Sequence, residues 1–273
     1  MPAGSRYLAE PARASAAVFR TAIVRPPSPN FADGLTRERL GPPDYATALA
    51  QHVNYCAALE RCGLTLIRLD ADARHPDATF VEDTAVLMPR CMVVTRPGAE
   101  SRRGEIDAIH ASLAHQGFAL DTIVAPGTVD GGDICEAGDH VFIGLSARTN
   151  EAGAEQLASL LRSAGYGTSL VDIRGVDGIL HLKSGMSALG DGRLLLIEAL
   201  IHHPAFAHHE RIRVESDEAY AANAIRVNDY VLLAAGYRRT AARLRELGYA
   251  LIELDMSEFR KMDGGLSCLS LRY

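Results

Sequence analysis

A few side chains in this chain have types and spacings that could do covalent chemistry. Cys268 follows a glycine pair in Met262-Asp263-Gly264-Gly265-Leu266-Ser267-Cys268. Adjacent glycines permit unusual dihedrals and close backbone approach, and a nucleophile gains exposure from such a turn. A lone cysteine is more often a buried structural residue, so Cys268 needs partners before it counts. His181 lies in Ile179-Leu180-His181-Leu182-Lys183-Ser184. An imidazole there is either packed and hydrogen-bonded or a general acid–base. Asp130 opens Asp130-Gly131-Gly132-Asp133. That motif reads as a turn, or as a carboxylate projected to orient an imidazole.

The run Phe80-Val81-Glu82-Asp83-Thr84 places two acids among β-favouring residues, with Asp77 just upstream. Acids in such a run are costly unless paired, which leaves an internal salt bridge or a cationic ligand as the partner. Arg102 and Arg148 are either solvated surface residues or a bidentate clamp for a carboxylate. The stretch His202, His203, His208, His209 and Glu210 lacks the spacing of a helical zinc protease and reads as a solvated loop. No metal site is assigned. Neither a P-loop nor a G-x-G-x-x-G motif occurs, so no nucleotide cofactor is expected. Cys56 and Cys62, in or at the end of the first helical segment, read as structural.

The 273 residues are 48% apolar and 23% charged, as in a soluble globular protein. There is no Trp, and aromatics are only 6%. A stacking platform for single-stranded nucleic acid is therefore not expected. The net charge of −6 argues against binding a phosphate backbone and suits a cationic small molecule. The five cysteines include no C-x-x-C pair, so a reduced compartment fits better than a disulfide framework. The first twenty residues lack an apolar core for secretion, and no stretch reaches the length of a membrane span. The expectation is a cytoplasmic protein that engages neither membrane nor nucleic acid. A flexible tail is expected over residues 1–17 and a single catalytic domain over 18–273. The oligomeric state is left open, with a homodimer among the alternatives.

Elements must bring these distant residues together, and they recur on one plan of strand, tight turn, strand, helix and strand. The first unit has strands over 80–87, 91–95 and 122–124, with helical spacing over 101–116. The second starts at 131–134, turns at Ala137-Gly138-Asp139, and continues as strand 141–143, helix 150–164 and strand 167–173. The third has strands at 179–182 and 186–189, then turns at Gly190-Asp191-Gly192 into strand 194–197. The fourth runs from 222–227 through Asn228-Asp229 to strand 230–234, helix 240–247 and strand 251–254. Strand 266–271 completes a fifth unit with strand 21–24, helix 45–61 and strand 64–69 from the other end. Equivalent points near Asp83, Asp130, His181, Asn223 and Cys268 recur every 42–51 residues. A period of that size suggests a radial array. A doubly wound parallel sheet fits less well, because several turns are too short for parallel crossovers.

The motifs in this order resemble the dimethylarginine dimethylaminohydrolases, members of the guanidino-modifying superfamily with the arginine deiminases and amidinotransferases. The matching pieces are Phe80-Val81-Glu82-Asp83, Thr95-Arg96-Pro97-Gly98 with Ser101-Arg102-Arg103, Asp130-Gly131-Gly132-Asp133 and Gly144-Leu145-Ser146-x-Arg148-Thr149-Asn150. They continue with His181-Leu182-Lys183-Ser184, Met256-Ser257-Glu258-Phe259 and Asp263-Gly264-x-Leu266-Ser267-Cys268. The resemblance spans roughly residues 18–272. It implies an α/β fold, the five-fold pseudosymmetric propeller of ββαβ-type modules called the pentein fold. It further implies Cys268 as nucleophile, His181 as general acid–base and Asp130 as the residue orienting His181. Some relatives carry Glu where this chain has Asp130. By the same resemblance Asp77, Glu82 and Asp83 surround a guanidinium, and Arg102 and Arg148 hold the substrate carboxylate. Backbone groups near Phe31 and Met262 take the α-amino group, and Ser184 and Asp263 complete the set. Phe31 falls on an expected lid loop, residues 25–34.

The implied reaction converts N-omega-methylated arginines to L-citrulline and dimethylamine or methylamine, with no metal or organic cofactor. A guanidinium carbon is resonance-stabilised and a poor electrophile, so attack needs a thiolate in line and a proton for the leaving amine. The cationic substrate itself favours the thiolate. The alternatives are arginine deiminase or another guanidino hydrolase on the same triad, and a non-catalytic binding protein on the same scaffold. A papain-like protease is the most distant, because the order Asp, His, Cys does not match it.

Overall fold

The computed structural model describes residues 18–273, and the expected tail over 1–17 lies outside them. Five three-stranded sheets surround one axis. One joins β1 (Thr21–Val24) to β2 (Thr65–Arg68) and β15 (Leu271–Arg272). The second holds β3 (Ala85–Met88), β4 (Cys91–Val94) and β5 (Asp121–Thr122), and the third β6 (Ile134–Ala137), β7 (His140–Leu145) and β8 (Gly167–Asp172). The fourth holds β9 (Met186–Gly190), β10 (Arg193–Ile197) and β11 (Glu210–Val214), and the fifth β12 (Ile225–Val227), β13 (Tyr230–Ala234) and β14 (Ala250–Leu254).

In each sheet the middle strand pairs antiparallel with the inner strand and parallel with the outer one. The parallel step requires a crossover. Helices α1 (Tyr45–Arg61), α2 (Ile106–His115), α3 (Glu151–Ser163) and α5 (Arg238–Glu246) supply it in four sheets. The fourth sheet uses two short 3₁₀ turns, Glu198–Leu200 and Pro204–Phe206, and the histidine-rich stretch lies there. The one-turn helices α4 (Leu182–Gly185) and α6 (Ser257–Arg260) complete the set.

The patterning explains these positions. The middle strands Val141–Leu145, Leu194–Ile197 and Val231–Ala234 are buried throughout, as continuous apolar runs should be. The outer strand β11 alternates exposed and buried residues near its end. Asp44 and Asn150 cap α1 and α3, accepting from Thr47 N and Gly153 N at 2.8 Å each. Gly63 and Gly165 end those helices at φ +92° and +84°.

Strand placement departs from the sequence expectation at five equivalent points. At 80–87, 131–134 and 266–271 short helical turns precede the inner strand; at 179–182 the chain is irregular and leads into such a turn, and at 222–227 the turn ends at Ala222 before β12 begins at Ile225. These turns are Val81–Thr84, Gly131–Asp133, α4, Ser216–Ala222 and Ser267–Leu269. Buried polar groups there bond locally rather than across a ladder, as Thr84 Oγ1 does to Val81 O and Asp133 N to Asp130 O. Likewise, the helical spacing over 101–116 splits into a 3₁₀ turn, Glu100–Glu105, and α2. No helix among the described residues is long and apolar enough to cross a membrane.

Phe31, Phe80 and Phe259 meet with ring centroids 5.5–6.3 Å apart and pack behind the site. Phe259 is fully buried. Phe259→Ala should lower the unfolding free energy by about 3–5 kcal/mol in urea titrations. A loss below about 1 kcal/mol would show that the cluster does not carry this part of the core.

Candidate active site

The five lead-in turns deliver Asp83, Asp130, His181, Asn223 and Cys268 toward one end of the axis. A pocket there is lined by Asp77, Phe80, Asp83, Arg102, Arg148, Leu180, His181, Met262, Asp263, Cys268 and Leu35. Its free space is about 20 Å³, room for roughly one water.

Asp130 is fully buried, and its Oδ2 lies 3.0 Å from His181 Nε2. Its Oδ1 accepts from Gly98 N at 2.8 Å, which fixes the carboxylate's orientation. With Nε2 engaged, Nδ1 is the nitrogen left for reaction. Gly132 packs flat against the imidazole: a Cβ there would lie 2.8 Å from Cγ and Nδ1 and 2.9 Å from Asp83 Oδ1. Asp83 accepts from Gly132 N at 2.9 Å and from Arg102 Nη1 at 2.6 Å. Burial opposes its charge, but His181 and Arg102 hold its carboxyl well below the usual range. Burial also opposes charge on His181. Asp83, Asp133 and Asp130 overcome it and push the imidazole up to about 9.

Asp83, Asp130 and His181 bring ligand atoms within 4.8 Å of one another. Hydrogen bonds to Gly132, Arg102, Gly98 and His181 already engage the carboxylate oxygens, so the cluster is organised around a proton. Histidines 202, 203, 208 and 209 form no such cluster among the described residues.

Cys268 is partly exposed and belongs to the same pocket. Burial, then Glu82 and Asp83, push its thiol up to about 12. Arg148 Nη1 is buried without a partner. Asp77, raised by burial, accepts from Leu35 N with both oxygens at 3.1 Å. Asp263 sits at φ +59° and accepts from Arg37 N at 2.6 Å, while Thr36 Oγ1 donates to Lys261 O. The segment over the pocket is therefore 34–37, held by backbone amides to two acids.

Several expected contacts are corrected. Phe31 does not line the pocket; it is buried against Phe80 and Phe259, and its N donates to Ser28 O. Leu35 takes the place at the mouth, and only its exposure beside Asp77 identifies it. Glu82 faces away, into a separate channel of about 1020 Å³ lined by all five sheets. There it pairs with Lys183 at 2.6 Å and accepts from Ser267 Oγ at 2.7 Å. Arg102 lines the pocket, but its guanidinium already donates to Asp83, Glu105 and Phe80 O. It braces Asp83 and has one N–H left for a ligand. Ser184 lies outside the pocket: it donates its N to His181 O at 3.0 Å and accepts from His181 N. Asn223 was marked in the sequence only by the period. Its Nδ2 donates to Lys183 O and Ser267 Oγ, and its Oδ1 accepts from Ser267 N, so it ties the His181 and Cys268 turns together.

A family model described as "N,N dimethylarginine dimethylhydrolase, eukaryotic" matches residues 44–228. The chain is 45% identical to N(G),N(G)-dimethylarginine dimethylaminohydrolase of Pseudomonas aeruginosa, over 94% of this chain and all of that one. The enzyme of that name from Streptomyces coelicolor is 35% identical, over 93% and 96%. A structure of the Pseudomonas aeruginosa protein, a mutant complexed with citrulline, matches with a TM-score of 0.90 at 44% identity, covering 94% of this chain and all of that one. The N-terminal domain of ArgZ, an arginine dihydrolase from cyanobacteria, matches with a TM-score of 0.83 at 20% identity, covering 94% and 97%, which bears on the fold alone. Both matches agree with the five-fold α/β propeller described above.

With its thiol near 12, free Cys268 should alkylate with iodoacetamide at a rate still climbing through pH 10, read by mass spectrometry at that residue. The other four cysteines are buried and should label slowly. A plateau below pH 9 would mean that the thiolate already exists in the ligand-free protein.

Proposed function

The chain belongs to the dimethylarginine dimethylaminohydrolase family, and from that premise we propose that it hydrolyses N-omega-methylated arginines to L-citrulline and dimethylamine or methylamine. One observation carries this reading. A single pocket holds a thiol, an imidazole tied to a carboxylate, three further acids and a guanidinium whose Nη1 is buried without a partner.

The substrate's two ends match those groups. Its guanidinium is cationic and suits Asp83, whose charge Arg102 secures, and Asp77 once the Leu35 amide leaves it. Its carboxylate suits the free Nη1 of Arg148. The α-amino group falls to the backbone near Met262, Asp263 and Leu35.

A cation beside Cys268 offsets Glu82 and Asp83 and lowers the thiol from its ligand-free value. The thiolate attacks the guanidinium carbon and forms a C–S bond. The His181 imidazolium gives its proton to the departing dimethylamine as the C–N bond breaks, leaving an S-alkylthiouronium on Cys268. Neutral His181 then takes a proton from water, whose oxygen bonds to the same carbon. The C–S bond breaks, and citrulline and the thiol are restored. Asp130 holds the ring with Nδ1 toward the reacting atoms. No step calls on a metal or organic cofactor. The five unpaired thiols suit a reducing cytoplasm.

The test supplies asymmetric dimethylarginine, monomethylarginine and arginine separately, after chelator treatment, and quantifies citrulline and amine. Turnover should be confined to the methylated substrates and should fall on the order of 10⁴-fold or more in Cys268→Ser. Arg148→Ala should raise KM at least about tenfold with a smaller change in kcat. Citrulline formed mainly from arginine would move the chain to the deiminase activity. Turnover that survives Cys268→Ser would remove the covalent step.

A further inference from the structure

Asp133 has no part in the chemistry just described, yet its carboxylate is fully buried and fully bonded behind the site. Its Oδ1 accepts from Leu182 N at 2.9 Å, the amide directly after His181. Its Oδ2 accepts from Ser146 Oγ at 2.6 Å. Ser146 Oγ in turn accepts from Arg148 N at 2.9 Å and Thr149 N at 3.1 Å. Thr149 Oγ1 accepts from Asp130 N at 3.1 Å, and Asp130 bonds the His181 ring. The path therefore closes on itself, from His181 through Leu182, Asp133, Ser146, Thr149 and Asp130 back to His181, and Arg148 hangs from its Ser146 corner. Every side chain in the path is buried. The backbone of β7 presses against it: a Cβ on Gly144 would lie 2.9 Å from Asp133 Oδ1 and from Leu182 Cβ.

Resting on the function proposed above, we propose that Asp133 is a positioning residue that holds the acid–base His181 and the carboxylate-receiving Arg148 at a fixed separation, and so selects substrates by chain length. Arg148 is offered one end of the substrate, and His181 with Cys268 the other. The path between them consists of buried hydrogen bonds and two short backbone links, so it resists stretching. A misplacement of about 1 Å at a reacting centre costs on the order of 10²-fold in rate. A side chain one methylene longer or shorter is misplaced by about that much.

The experiment compares wild type, Asp133→Asn and Ser146→Ala, with rates normalised to the fraction of Cys268 labelled covalently in folded protein. The substrates are monomethylarginine and its homologue with one extra methylene. Wild type should prefer the natural length by about 10–200-fold in kcat/KM. Each variant should lower kcat/KM for monomethylarginine at least about tenfold and narrow that preference about tenfold. Ser146→Ala should also raise KM, because Arg148 N loses its acceptor. A second readout is independent of turnover: the titration of ¹⁵N-labelled His181. His181 is faced by Asp83, Asp130 and Asp133, with Asp77, Asp263, Arg102, Arg148 and Cys268 lining the same pocket. Asp133→Asn removes one of the charges that raise it, so its midpoint should move down from about 9. Variants with wild-type length preference and KM per labelled site would overturn the positioning role, even if they unfold at lower temperature. If wild type turns over neither substrate, the reading of the function fails and the inference falls with it.

Discussion

Charge balance around a single buried imidazole constrains the rest of the site. Three carboxylates, Asp83, Asp130 and Asp133, act on His181 from positions with almost no water. An ion in such surroundings is costly unless paired and hydrogen-bonded. Arg102 compensates Asp83, and the protonated ring compensates more of the remainder. Holding its proton is therefore the resting condition of His181, and a proton is what the first step of the proposed reaction needs. Burial, with the negative charge of Glu82 and Asp83, keeps the Cys268 thiol neutral until a cation arrives. The acid is thus ready before the ligand arrives, and the nucleophile is armed by the ligand it acts on.

The fold makes this arrangement feasible with little distortion. Each sheet ends at the axis in a short helical turn, and each turn carries one residue of the cluster. Because the turns are equivalent by pseudosymmetry, residues far apart in sequence meet without long connections. The buried middle strands hold the frame, so the polar turns need only satisfy their own donors and acceptors. Asn223 shows the economy of this plan, since one side-chain amide joins the turns bearing His181 and Cys268.

Much of this was legible in the residues. The period of 42–51 positions marked all five lead-in points, helix 45–61 followed from its spacing, and the turns at 137–139 and 190–192 followed from glycine and aspartate. Less legible was which way neighbours point. Glu82 and Asp83 are adjacent acids, yet one faces the channel and the other the pocket. Nothing in residue type distinguishes a bracing arginine from a ligand-binding one; Glu105 beside it is what makes Arg102 a brace. The segment over the pocket has no periodicity to set its register, and the resemblance puts Phe31 on the lid loop 25–34 with backbone groups near it taking the α-amino group. Its aromatic bulk had already committed it to the core with Phe80 and Phe259.

The two amide bonds that hold segment 34–37 down have a thermodynamic consequence. Leu35 N occupies the carboxylate of Asp77, and Arg37 N occupies that of Asp263. The ligand-free protein therefore carries its own competitor, tethered and always present. On the proposed reading of the site, substrate binds only the fraction of molecules in which that competitor has let go, and the apparent dissociation constant rises in inverse proportion to this fraction. A tenfold rarer open population costs tenfold in apparent affinity, with no contact to the substrate changed. Substitutions along 34–37 would tune the range of substrate concentrations over which the enzyme responds, independently of how well it performs the chemistry.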